Sequence, residues 1–223
     1  MAIALVSNTI AGSPSPGNSV TTSAIDTTGA NLIVLCVGYY SASTDQTPTD
    51  SKSNTWTFIA RVTSGDVETA YWYCLNPTVG SGHTASYAHT GVYATISFAA
   101  FSGAAASSPL DQTNSATGTA TTSLSSGSVT PTESNELVIS AIGTTVANTL
   151  SVGSGLTILD QLPNVPGDHL GLAVGYFIQS TAAAINPSWS WSTSSNSSAV
   201  IASFKSASVA TTFPASKRLV IVS

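Results

Sequence analysis

Ten carboxylates and three histidines are the groups in this 223-residue chain suited to acid–base work. Asp66 and Glu68 stand two apart in SGDVETAYW, just ahead of a run of aromatics. Two carboxylates held in a cleft are what glycoside hydrolysis uses. The same spacing suits a solvated hairpin turn, and the turn is the expectation. Asp45 and Asp50, in STDQTPTDSKSN, have the oxygen chemistry of a calcium loop. Their spacing fits no EF-hand pattern, so a plain turn is expected there too. His83, His89 and His169 are expected to be isolated from one another and from acidic or thiol partners, Asp168 being a mere chain neighbour of His169. HExxH, GxSxG and Walker patterns are absent. Serine is abundant everywhere, which marks no single nucleophile. The chemistry-bearing residues therefore point away from an enzyme, and neither a cofactor nor a metal is expected.

Aromatic residues offer a second kind of site. Tyr71, Trp72 and Tyr73 are consecutive, so in a strand either Trp72 or the two tyrosines face outward. Trp189 and Trp191, in PSWSWST, share one strand face. Two indoles on one face make either a sugar-stacking platform or the core of a region otherwise short of large side chains. Core is the expectation and the platform the alternative. Cys36 and Cys74 fall inside expected strands, where they read as small buried apolar groups. A disulfide between them requires neighbouring strands and an oxidising compartment.

The elements that must position these residues are strands. NLIVLCVGYY (Asn31 to Tyr40) is a near-continuous apolar run, as in a strand buried on both faces. TWTFIARV alternates, which places Trp56, Phe58, Ala60 and Val62 on one face. TAYWYCLN ends at Pro77, which cannot donate to a ladder. Ile3 to Ile10 reads as a first strand. Strand-like runs recur between turn residues, and no stretch carries a helical period with caps. The expected fold is all-β, an antiparallel two-sheet sandwich with jelly-roll-like pairing.

Composition limits the partners. Charged residues are 7% of the chain and the formal net charge is −5, against roughly 25% charge in ordinary soluble domains. A hydrophobic content of 42% excludes the disordered class. Such a surface suits a secreted or stress-resistant β protein, or a subunit partly covered in an assembly. The acidic balance argues against nucleic acid. No apolar run approaches the ~20 residues of a spanning helix, so no membrane partner is expected. MAIALVSNTIAGSPSPGN lacks the basic and long apolar regions of a secretory signal, and synthesis in a cytoplasm without export is expected.

Blocks of sequence recur in order. NLIVLCVGYY pairs with ELVISAIGTT, TFIARV with TILDQL, YWYCLNPTVGSGHTASYA with GYFIQSTAAAINPSWSWS, and ATISFAAFSG with AVIASFKSA. The offset is 105 residues for Leu32 to Leu137 and 100 for Thr57 to Thr157. This is an internal pseudo-repeat of about 105 residues, with units near 1–107 and 108–207. The Ser/Thr-rich stretch from Ser108 to Ser140 then becomes the lead-in of the second unit, with Ala116 to Val129 extended, instead of a linker. One sandwich over 1–207 is favoured over two small domains. Residues 208–223 form a C-terminal arm, in which Lys217 and Arg218 precede the β-prone run Leu219, Val220, Ile221 and Val222. That run reads as one more strand of the sandwich or as an inter-subunit arm that adds to a neighbour's sheet.

FAAFSGAAASSPLDQT, followed by the Ser/Thr/Gly stretch and VTPTESNELVIS, resembles β-sandwich segments of tailed-phage virion proteins and bacterial surface proteins, mostly of unknown role. The matching residues are Phe101 to Gly103, Pro109 to Asp111 and Asn135 to Val138, and the likeness covers most of residues 20 to 207. It implies architecture and supplies no active site. The surface versions would carry a signal and sit in longer chains, so a stand-alone virion component is expected. The resemblance then implies a non-enzymatic virion structural protein, assembled in the host cytoplasm. A capsid decoration (cement) protein comes first, and a head- or tail-fibre subunit second. Its partners would be the major capsid protein or other virion proteins and copies of itself, a trimer being preferred. Contact would run through sandwich faces and the terminal arms. The alternative is a carbohydrate-binding or host-adhesion module using exposed Trp189, Trp191, Tyr71 or Tyr73.

Overall fold

The computed structural model describes residues 2–13, 17–40, 46–166 and 169–208. These form strands and turns, with no helix among them. In chain order the strands are β1 (Ala4–Gly12), β2 (Gly17–Thr21), β3 (Leu32–Tyr40), β4 (Thr49–Asp50), β5 (Thr57–Ser64), β6 (Val67–Leu75), β7 (Ala85–Val92) and β8 (Ala94–Ser102). They continue as β9 (Leu110–Ser125), β10 (Glu136–Thr144), β11 (Ser151–Val152), β12 (Thr157–Leu162), β13 (Gly171–Gln179) and β14 (Ser188–Phe204). The fold is all-β, and antiparallel sheets pack in a sandwich-like arrangement.

The first large sheet has the order β1-β8-β3-β6-β5. The second runs β14-β10-β13-β12; β9 pairs along the other edge of β14, and the short β11 pairs with Trp189 and Ser190 on the same edge as β10. Each large sheet is thus drawn from one half of the chain, so the strands do not alternate between sheets. A third, small sheet of β2-β7-β4 adds a layer to the two that were expected. The strand order in the two large sheets is the same, β9 standing where β1 stands. Leu32 lies opposite Phe101 and Leu75, and Leu137 lies opposite Phe204 and Ile178. The common order is a property of topology and does not by itself make the two halves superposable units.

The side chains divide by strand period. Leu32, Val34 and Cys36 of β3 face Leu137, Ile139 and Ala141 of β10 across the main core, which Phe101, Leu172, Val174, Val200 and Phe204 complete. Ile33, Leu35, Val37 and Tyr39 point the other way, into a second core closed by Val20, Trp56, Ala85 and Tyr87. β3 is therefore apolar at nearly every position because both of its faces are covered. Polar struts stitch the large sheets together at their margins. Asn8 of β1 donates to the Leu159 carbonyl and to Asp160 Oδ1, and Ser64 of β5 donates to the Gly118 carbonyl of β9. The stretch from Ser108 contains a 16-residue strand, and Val129 beyond it bridges to Ile185.

One expectation about β5 is corrected. Its register shifts between Phe58 and Ala60. Ile59, Ala60 and Val62 pack against the main core, whereas Phe58 stays on the outer face against Trp72. A bulge inserts one residue and so breaks the period of two. For that reason Trp56, Phe58, Ala60 and Val62 do not share a face.

Candidate functional site

Asp50, at the end of β4, is the most heavily hydrogen-bonded carboxylate described. It accepts from the Lys52 and Asn54 amides, the Asn54 side chain and Trp56 Nε1. His83 Nε2 lies 3.1 Å from Asp50 Oδ1, and His83 Nδ1 lies 2.9 Å from Thr27 Oγ1. With a carboxylate on one side, the neutral ring donates through Nε2 and accepts from the threonine hydroxyl at Nδ1. Sequence separation hid this partner, because Asp50 and His83 are 33 residues apart; the expectation that His83 is isolated is corrected. Hydroxyl, imidazole and carboxylate stand in the order of a nucleophile relay. However, Thr27 and His83 are both fully buried. Thr27 Oγ1 also accepts from the Gly80 amide, so the group clamps three loops. Burial pushes the His83 pKa down, against the pull of Asp50.

Asp66 and Glu68 do not form a carboxylate pair in a cleft, and the expected solvated turn holds for Asp66 but not for Glu68, which lies within β6. Asp66 lies exposed in the β5–β6 turn. Glu68 is buried, pairs with Arg61 Nε at 2.5 Å and accepts from the Tyr39 hydroxyl. The Arg61 guanidinium in turn lies 5.9 Å from the Tyr39 ring and 5.7 Å from the Phe58 ring. Phe58, Arg61 and Trp72 line a cleft of about 170 Å³ with Gln46 and Thr47 on its rim. Phe58 is 51% exposed, and among the described large apolar side chains only Val165 shares that state. Asp45 lies outside the described residues. His89 is buried on β7, and burial holds its pKa down. His169 bridges to Val165 in the β12–β13 connection. Among the described residues no cluster of three or more His, Cys, Asp or Glu side chains is placed to hold a metal.

Two further carboxylate groups join segments distant in the chain. Asp160 of β12 accepts from Asn8 of β1 at 2.8 Å and from Ser97 of β8 at 2.7 Å. Burial raises its pKa, and those two hydrogen bonds pull the other way. Two residues of the sequence resemblance, Asp111 and Glu136, meet in the second group. Asp111 accepts from the Thr132 amide and hydroxyl and lies 3.2 Å from Lys205 Nζ. Burial works to raise the Asp111 carboxyl, but Thr132 and Lys205 outweigh it and hold it below its usual range. Glu136 accepts from the Glu133 amide, and burial holds its carboxyl above its usual range. Asn135 supplies the left-handed turn between them, with φ of 66°, a conformation asparagine tolerates. A cleft of about 440 Å³ adjoins this group, lined by Ala105–Ser108, Glu133 and Lys205–Ser208.

The aromatic platform is not on the surface. Trp189 is wholly buried and Trp191 nearly so, packed with Ile142, Leu150 and Ala199 on the outer face of the second sheet. The segment between β10 and β12 folds over them, and Gln161 pins it by bonding both the amide and the carbonyl of Leu150. Trp189 Nε1 donates to Ser140 Oγ at 3.0 Å, which satisfies its one polar atom inside. Tyr71 is fully buried and Tyr73 half-buried against Phe204, both on the main-core face of β6. Trp72 faces the second core, under Tyr87. Neither face of β6 was left outward, because the third sheet covers the side that alternation alone would leave wet. Cys36 and Cys74 are free and buried, and burial raises both thiols. The expected arm, Lys217 to Val222, lies outside the described residues.

No protein-family model and no curated protein matches the chain. Among solved structures, the crystal structure of the PBSX exported protein XepA aligns over 90% of this chain and 86% of its own, with 11% identity and a TM-score of 0.25. A likeness at that score carries no argument about fold or function.

Proposed function

We propose that the chain is a non-enzymatic structural protein of a virion, and specifically a capsid decoration protein that binds the shell and neighbouring copies of itself. The observation that carries this reading is where the carboxylates sit. The side chains of Asp50, Glu68, Asp111, Glu136 and Asp160 are turned inward and held by hydrogen-bond donors. In a chain with only 7% charged residues, that leaves an outer surface rich in serine and threonine. On β9, for example, Thr113, Ser115, Thr117, Thr119 and Thr122 are exposed. An uncharged hydroxyl surface does not repel a second copy and resembles the charge-depleted centre of protein interfaces. The inward carboxylates brace a rigid body suited to an adhesive role. The resemblance of the Phe101–Gly103, Pro109–Asp111 and Asn135–Val138 motifs to virion β-sandwich segments supplies the context.

The partners under this reading are the major capsid protein and further copies of the chain, with a trimer preferred. Sedimentation velocity on the purified chain, followed by cosedimentation with expanded capsids lacking it, tests the proposal. A homo-oligomer and saturable capsid binding are expected. A monomer that leaves the capsids bare would overturn it.

A further inference from the structure

Three side chains at one end of the second sheet hold the reactants of an amide bond. Asp111 lies at the start of β9 and Lys205 directly follows β14, on neighbouring antiparallel strands. The Lys205 amide donates to the Pro109 carbonyl, which fixes the two segments in register. Lys205 Nζ stands 3.2 Å from Asp111 Oδ1, and the Asp111 side chain is only 4% exposed. Glu136 of β10 is wholly buried and its carboxyl meets that of Asp111 in a hydrogen bond. Two carboxyls in such contact must share a proton, and burial keeps it on Glu136. An amine, a carboxyl and a buried acid are therefore held together, and the acid touches the carboxyl that the amine faces.

We propose that Lys205 and Asp111 condense into an amide bond between Nζ and Cγ, assisted by Glu136, which ties β9 to β14 covalently. The ammonium first passes a proton to Asp111 Oδ1, which leaves a neutral amine and a neutral carboxyl. Low-dielectric surroundings favour the uncharged pair. The Nζ lone pair then attacks Cγ and the Nζ–Cγ bond forms. Negative charge develops on Oδ2, where the Thr132 amide donates at 2.7 Å. The Cγ–Oδ1 bond breaks as Glu136 protonates Oδ1, and Glu136 recovers a proton from Nζ. One water leaves, nothing is oxidised or reduced, and the two opposite charges are lost together. The cleft of about 440 Å³ that Lys205 and Glu133 line gives this water an exit. The bond closes a loop of about 95 residues that contains β10 to β13, and cross-links over long loops restrict the unfolded chain most. The reaction occurs once per chain, so it is no enzymatic turnover, and it is independent of the decoration reading.

Mass spectrometry of the denatured full chain, after prolonged incubation at neutral pH, is the test. The parent should weigh about 18 Da less than its sequence requires, the mass of one water. A digest should contain one branched peptide that joins the segments carrying Asp111 and Lys205. Lys205→Arg keeps a cation beside Asp111 but cannot form this amide. It should show its full encoded mass, a native circular dichroism spectrum and a lower thermal midpoint than the parent. Glu136→Gln preserves shape but has no proton to give, and most of its chains should stay at the encoded mass. A parent at its full encoded mass overturns the proposal, whatever the variants do. A water loss that maps to a linear peptide also overturns it, by assigning the loss to a cyclised aspartate. A Glu136→Gln chain that cross-links as fully as the parent overturns the role of Glu136.

Discussion

Asp160 is under two opposing pulls. Burial disfavours its charge, and Asn8 and Ser97 favour it. The net result is a carboxyl whose folded pKa stands above 3.8, its ordinary value. Between that value and the raised one, the folded state holds a proton that the unfolded state has lost, so stability rises as pH falls through the window. Asparagine at this position still accepts from Asn8 and reaches Ser97 without a buried charge. Asp160→Asn should therefore be at least as stable as the parent at pH 7, with the difference vanishing on acidification toward pH 3.8. Asp160→Ala leaves two donors unpaired and should cost about 1–3 kcal/mol. Urea titrations across pH distinguish the two, and a parent chain that loses to neither would sink the account. Residue identities alone showed that Asp160 could ionise; nothing in them showed that Asn8, 152 positions away, would be its partner.

At the scale of elements, turn chemistry was the more legible part. Gly103 follows β8 with φ of +77°, and a Cβ there would run into the Ala2 carbonyl. That gives the Ser-Gly pair after Phe101 a physical reason: only glycine takes this conformation with another backbone so close. Gly103→Ala should lower stability by about 2 kcal/mol or more, measured as a drop in the denaturant midpoint at constant slope; a neutral result would mean that the β8 exit and the first strand are not in contact. The continuous apolar runs of β3 and β10 were readable as strands covered on both faces. The alternation in β5 was misleading beyond Phe58, because a bulge leaves no mark in a hydrophobicity pattern. β12 has a register shift at the corresponding place, between Ile158 and Asp160, and there it turns Asp160 inward to the first sheet.

For the whole molecule, the connection between the halves is the informative region. Its Ser/Thr/Gly composition suits a linker, yet β9 pairs along β14 from Leu110 to Ser125. One sandwich, instead of two separable domains, is the organisation we expect. Limited proteolysis of the native chain should then spare 116–129. Early cleavage there into two folded halves would favour two domains. A strand so poor in large side chains is held by its ladder and by its neighbours across the sandwich, such as Ser64 on the Gly118 carbonyl. Neither is visible in local composition.

The sequence by itself determined the all-β class, the positions of the main strands and the core role of its apolar runs. These follow from period, β-branched content and turn residues, all of which act over a few neighbouring positions. The tertiary structure alone decided which polar groups meet and which aromatics see water. His83 and Asp50, or Asp160 and Asn8, are brought together by sheets stacking in three dimensions. Trp189 and Trp191 were hidden by a connection folding over them, and Phe58 was left open by a bulge. Burial is a property of what lies on the other face, and a strand's own sequence does not contain its cover.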